Sequence, residues 1–169
     1  MSDGDRDAAE RQAERDRVLG ALTETVPYNR LLGVRFDRLG DELTGRLPFR
    51  DGLVGNPVLP ALHGGVTGSF LEIVALMQLA WEQVLAHLDE GGMAAGRITR
   101  GEFPPMPKTI DITIDYLRSG RPRETYARAR VQKAGRRVAH LHVEAWQDNR
   151  ARPIAMLRGN FLMPRDGDG

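Results

Sequence analysis

The 169-residue chain contains no cysteine. That excludes a disulfide framework, a thiolate nucleophile and any cysteine-ligated zinc or iron–sulfur site. It fits a reducing compartment, and a cytoplasmic location is the expectation. Lysine is nearly absent: Lys108 and Lys133 stand alone, so arginine is the default cation and a single arginine is weak evidence for a site. Aromatic residues make up 6%, too scarce among the basic residues to build a stacking platform for nucleic acid. The segment Met1 to Arg17 is charged and lacks an apolar run, so no signal peptide is expected. Long hydrophobic runs are absent with one exception, Gly64 to Trp81, where Thr67, Ser69, Glu72 and Gln78 argue for a buried core helix over a membrane span.

What is present fits one globular domain. Apolar residues are 41% and charged residues 28% of the chain, in a length sufficient for a sizeable core. The formal net charge of +1 hides an asymmetry: residues 3–16 hold six acids against three arginines, while residues 117–158 carry a net +8. A basic half suits an anionic partner such as a phosphate group, or is simply a solvated sheet face.

Residues 1–8 and 164–169 read as tails. Ala8 to Thr25 reads as a polar helix with an apolar patch at Val18, Leu19 and Leu22, ended by Pro27. Tyr28 to Gly33 reads as a connector. Val34–Leu39 and Leu43–Phe49 read as a hairpin about Gly40-Asp41, and Arg50 to Leu62 as a loop. A helix is expected from His63 to Leu88, then a long Gly/Pro segment over 89–107. Thr109 to Tyr116 alternates, with Ile110, Ile112, Ile114 and Tyr116 on one face. Strands over Tyr126–Val131, Val138–Trp146 and Ile154–Met163 complete an antiparallel meander. The division is an N-terminal charged helix and tail (1–26), one main domain (27–164) and a C-terminal tail (165–169). A helix apolar nearly all round needs cover on most sides, and a curved antiparallel sheet wrapped around it supplies that cover.

Glu72 is the only formal charge in the 18 residues from Gly64 to Trp81. A lone carboxylate in an apolar helix is costly unless paired or used. It lies nine residues after His63, which with Gly64 and Gly65 reads as a helix start, a place where free amides favour negative charge.

The ordered set Leu32-Gly33-Val34, Asn56-Pro57, His63-Gly64-Gly65, Glu72, the run Thr109 to Arg118 and the late Lys133 to Ala139 resembles the hotdog-fold thioesterase superfamily, in its phenylacetic-acid-degradation (PaaI-like) branch. The resemblance covers roughly Leu31 to Met163. It implies an α+β hotdog fold and hydrolysis of an acyl-CoA thioester without metal or cofactor, CoA being part of the substrate. It also implies a homodimer, or a dimer-of-dimers tetramer, with the site at the dimer interface. On that resemblance Gly64 supplies the oxyanion-binding amide, Glu72 is the general base or the nucleophile, and His63 and Asn56 position the substrate or water. Gly65, Thr67 and Ser69 belong to the substrate path, and Arg118, Arg136 and Arg137 stand where cations meet CoA phosphates. Phe70, Trp81, Phe103 and Met106 are candidates for the acyl pocket. Three departures stand out: Glu72 where Asp is commoner, Asn56 seven rather than six residues before His63, and Pro60 in place of a loop glycine.

Charge builds on the carbonyl oxygen during thioester hydrolysis, and helix N-terminal amides suit it. Nine residues of helix is about 13 Å of rise, far for one site in one chain. Two antiparallel helices across a dimer would bring Glu72 of one protomer to His63-Gly64 of the other. The competing readings are a non-catalytic acyl-CoA-binding module, kept open by the altered Asn56–His63 loop, and a dehydratase of the same fold, whose chemistry needs a loop histidine that this chain lacks between Arg50 and Leu62. His140, His142 and Glu144 share one strand face and offer metal-ligand chemistry, but no later histidine completes a set.

Overall fold

The computed structural model describes residues 3–40 and 42–164. The first helix, α1 (Asp3–Thr25), begins five residues earlier than the apolar pattern suggests. Its leading turns are charged and solvent-exposed, while Val18, Leu19 and Leu22 are buried. Val26 is extended, as a residue before proline prefers, and Pro27 opens α2 (Pro27–Leu32) where the sequence suggests a connector. The hairpin β1 (Arg35–Leu39) and β2 (Glu42–Leu47) follows in the register Leu39↔Glu42. Gly40 takes φ +62, a turn conformation glycine adopts without strain; Asp41 lies outside the described residues.

The expected loop over 50–62 is folded. A short 3-10 turn (Asp51–Leu53) leads into a small hairpin of β3 (Val54–Asn56) and β4 (Ala61–Leu62). The central helix α3 (Gly64–Glu90) comes next. The Gly/Pro segment after it contains α4 (Gly92–Thr99), whose buried Ile98 joins the core. Then come β5 (Lys108–Tyr116), β6 (Thr125–Ala134), β7 (Val138–Trp146) and β8 (Ala155–Leu162).

Six strands form one antiparallel sheet in the order β1-β2-β6-β7-β8-β5, leaving β5 at an edge. Its apolar face wraps α3: Leu141, Val143, Ala145, Ala155, Leu157 and Phe161 alternate with half-exposed residues and are buried against the helix. Small residues let the helix sit close. A Cβ on Gly45 would lie 2.4 Å from Val74 Cγ2. Phe70, Val74 and Trp81 share this sheet-facing side, and each such burial is worth roughly 1.5–3 kcal/mol. By length and composition α3 is apolar enough to cross a membrane; here it is the core helix of a hotdog fold.

One expectation needs correcting at β5. Thr109 pairs with Phe161 and Asp111 with Asn160, so Ile110 is an extra residue in a bulge. Its side chain is 53% exposed. The bulge breaks the alternation read over Ile110 to Tyr116 and turns Thr109, not Ile110, toward α3.

Candidate active site

His63 is the N-cap of α3. Its Nδ1 accepts from the Gly65 amide at 2.9 Å, so that amide is occupied by the cap. The His63 carbonyl accepts from Val66 and Thr67. Among the described residues, no acceptor occupies the Gly64 amide. The Gly64 carbonyl accepts from the Tyr116 hydroxyl at 2.7 Å, fastening the end of β5 to the helix start.

Glu72 is half-buried rather than enclosed. The Thr109 hydroxyl donates to its Oε1 at 2.6 Å. At 100° per residue, Gly65, Ser69, Glu72 and Leu76 fall within about 60° of one another on α3. All four stay at least partly open to solvent and form one accessible stripe of the helix. Phe70 and Trp81 lie about 160–180° away from Glu72 and are fully buried under the sheet, so they pack the core instead of joining this stripe. Thr67 is also buried, about 140° round from Glu72. Phe103 and Met106 are half-buried against the core ahead of β5.

Asn56 sits on β3 with its side chain turned inward on its own loop. Its Oδ1 accepts from the amides of Val58 and Leu59 at 3.0 and 3.2 Å, capping the turn that carries Pro57 and Pro60. The hairpin still reaches the helix start, because Gly55 packs on His63: a Cβ there would stand 2.6 Å from His63 Cα. The extra residue before His63 is thus absorbed by a compact hairpin turn.

Within one chain the site is stretched out. Gly64 and Glu72 are about 12 Å apart along the helix axis, and their partners on β5, Tyr116 and Thr109, are at opposite ends of that strand. The expected phosphate cations are also split. Arg118 follows β5 and donates to the Pro153 carbonyl at 2.6 Å, at the Tyr116 end. Arg136 and Arg137 occupy the exposed β6–β7 turn, beside Met163 and the Lys108 end of β5.

Part of the basic second half is answered by acids: Arg128 by Glu42, Arg123 by Asp148 and Arg158 by Asp115, while Glu124 is answered by Arg46. The Tyr126 hydroxyl and the Arg46 guanidinium, both donating to Glu124, hold its carboxyl below the usual range. His140, His142 and Glu144 lie on the sheet face away from α3. There His140 meets Asn160 Oδ1 at 3.1 Å and Asn160 donates to Asp111. Among the described residues no group of three or more His, Cys, Asp or Glu is placed to hold a metal. A cavity of about 310 Å³ opens beside His142, Glu144, Arg128, Arg130 and Arg150 and reaches Gln78 of α3; Glu72 does not line it.

Thr109, Tyr116 and Tyr28, whose hydroxyl reaches Ser69, are the site-adjacent groups that sequence reasoning did not single out. Thr109 opens the alternating strand, but only the bulge turns it inward.

Comparisons with known proteins speak to the family and the fold. The sequence profile of the thioesterase superfamily matches residues 59–154. The medium/long-chain acyl-CoA thioesterase YigI of Escherichia coli K12 is 32% identical over 123 residues, covering 70% of this chain and 74% of that protein. A Shewanella oneidensis structure related to the thioesterase superfamily superposes with a TM-score of 0.68 at 27% identity, over 89% of this chain and 97% of that one. The PaaI protein of the E. coli phenylacetic acid degradation operon shares the fold, with a TM-score of 0.66 at 15% identity over 90% and 95% of the two chains. Matched over more than half its length by that superfamily's profile, 32% identical to a member and folded as a sheet wrapped around one long helix, the chain belongs to the hotdog-fold thioesterase superfamily.

Proposed function

We propose that this protein is an acyl-CoA thioesterase of the PaaI-like type, cytoplasmic and acting as a homodimer or a dimer of dimers, with each site shared by two protomers. The observation that carries the reading is the Glu72 carboxylate, held by Thr109 in an otherwise apolar helix and left half-open. A carboxylate kept in one orientation with a lone pair facing solvent is fit to take a proton from water, or to attack a carbonyl itself.

β5 supports the shared site. It is a nine-residue edge strand with one side unpaired, a ready template for a second copy. Antiparallel pairing of two such edges about a two-fold axis sets the Tyr116 end of one chain against the Thr109 end of the other. The Gly64 amide of one protomer then meets Glu72 of the partner subunit. Arg118 of one comes to the same end as Arg136 and Arg137 of the partner subunit, where CoA phosphates are expected.

In this reading the acyl carbonyl oxygen points at the Gly64 amide. Glu72 takes a proton from water as hydroxide adds to the carbonyl carbon and passes that proton to the departing thiolate, or adds its own oxygen to give a mixed anhydride that water then hydrolyses. The negative charge gathers on the oxygen facing Gly64, and the CoA thiolate leaves. His63 holds the helix start in shape by capping Gly65, and the Asn56 turn supports His63 through Gly55. YigI acts on medium- and long-chain acyl-CoA by its name, and straight-chain acyl-CoAs are the first substrates to try.

The test is release of free CoA from an acyl-CoA panel by wild type and Glu72→Gln. We expect kcat to fall by about 10²–10⁴ in the variant. Undiminished turnover in Glu72→Gln sinks the reading, and CoA binding without turnover in the wild type favours a non-catalytic binding module.

A further inference from the structure

The open stripe of α3 around Glu72 has two flanks, and we read the space between them as a groove. One is β5, whose Thr109 holds the carboxylate and whose Ile114 packs on Gly68. The other is α2. This short helix is anchored from below: Asn29 is 2% exposed and donates to the Thr23 carbonyl at 3.2 Å, and Leu32 is buried beside it. The Val34 amide returns to the Asn29 carbonyl at 3.0 Å, and the Arg50 guanidinium donates to the Leu31 carbonyl.

From this fixed platform Tyr28 reaches across to α3, and its hydroxyl donates to Ser69 Oγ at 3.1 Å. Ser69 is one turn before Glu72, about 60° round the helix and about 4.5 Å along it. The Tyr28 ring therefore spans the space between α2 and α3 on the flank away from β5. Tyr28 is 45% exposed and its neighbour Leu31 is 62% exposed. The Tyr28 ring thus stands partly uncovered beside the stripe of α3 that carries the carboxylate. The chemistry that fits such a wall is an aliphatic or aromatic chain, lying with its polar end toward Glu72.

We infer that Tyr28 is a specificity-determining residue: its ring, pinned to Ser69, closes the α2 flank of the groove and limits the length of the acyl chain. The inference rests on the acyl-CoA reading proposed above. A hydrogen bond between two neutral, partly exposed hydroxyls is weak, so the ring is a stop that a long chain pushes aside at a cost. Removing the hydroxyl frees the ring to swing; removing the ring opens the flank.

The experiment uses the full chain and non-hydrolysable S-alkyl-CoA thioethers with 4- and 12-carbon chains, beside kcat/KM for straight-chain acyl-CoAs. The readout is the ratio of 12-carbon to 4-carbon affinity. Tyr28→Ala is expected to raise it about tenfold, the scale of one or two methylene contacts in an apolar pocket. Tyr28→Phe keeps the ring volume and the fold, and is expected to raise the ratio by a smaller factor. A ratio that stays at the wild-type value or falls in both variants overturns the inference. Turnover in the wild type with parallel length profiles in the variants leaves the thioesterase reading standing and removes Tyr28 as a length stop. A shifted affinity ratio without any turnover in the wild type does the reverse.

Discussion

Thr109 Oγ1 and Glu72 Oε1 are 2.6 Å apart, joined across 37 positions of sequence by a single bulge in β5. With Ile110 taken out of the ladder, the threonine faces the helix and its hydroxyl has one acceptor, the carboxylate. The bond fixes one oxygen of Glu72 and, in the proposed reading, leaves the other for chemistry.

Removing that hydroxyl is expected to lower kcat by about tenfold or more, since hydrogen bonds to charged groups are worth about 1.5–3 kcal/mol. Thr109→Val keeps the shape and loses the donor, whereas Thr109→Ser restores it. Steady-state kinetics on all three proteins decide. A positioning role predicts that KM stays within about twofold and that serine recovers most of kcat; equal losses in valine and serine variants point to packing alone.

The Gly64 amide can be deleted without breaking the helix. Gly64 is the first helical residue, and His63 before it is extended at φ −63°, ψ 132°, so proline fits there. A Cβ at this position meets only Tyr116, at 3.6 Å. Gly64→Pro is expected to fold and to lose about 10²–10³ in kcat, the cost of one oxyanion donor. Mixed with Glu72→Ala by co-expression, it is expected to recover about a quarter of wild-type activity, because half of randomly paired dimers hold one intact shared site of two. Absence of recovery would show that each chain carries its site alone.

Gly55 has a different sensitivity. A methyl group there would clash with the His63 backbone at 2.6 Å, and backbone cannot swing aside. Gly55→Ala is expected to cost about 1–3 kcal/mol in urea unfolding and to depress kcat/KM by shifting the helix start. Unchanged kinetics in a destabilised variant would separate the hairpin from the site.

The Glu124 cluster predicts a pH dependence of stability. Hydrogen bonding to Tyr126, then to Arg46, lowers the Glu124 carboxyl below its ordinary value of 4.5. Its stabilisation is therefore complete above about pH 4.5 and is lost as pH falls through the depressed value. Glu124→Gln is expected to be about 1 kcal/mol less stable than wild type near pH 7. That gap closes toward pH 3. Denaturant unfolding at several pH values checks it, and a gap independent of pH would refute the assignment.

The order of elements was legible because periodicity is local. Glu72 in an apolar helix, the His63-Gly64-Gly65 cap and the alternating strands Val138–Trp146 and Ile154–Met163 are decided by residues a few positions apart, and the family resemblance followed from their spacing. Three things were not legible. The bulge at Ile110 depends on β8 pairing with β5, α4 was hidden in a Gly/Pro segment that still packs Ile98, and the Asn56 loop became a hairpin only by closing on Leu53, Leu62 and His63. By itself the sequence determined which groups are at hand for chemistry: a lone carboxylate, glycine amides at a helix start and no thiol. Only the tertiary structure decided which of them meet. A hydroxyl 37 residues away reaches Glu72, and a tyrosine 41 residues away reaches Ser69, through strand register and helix packing that no local pattern encodes.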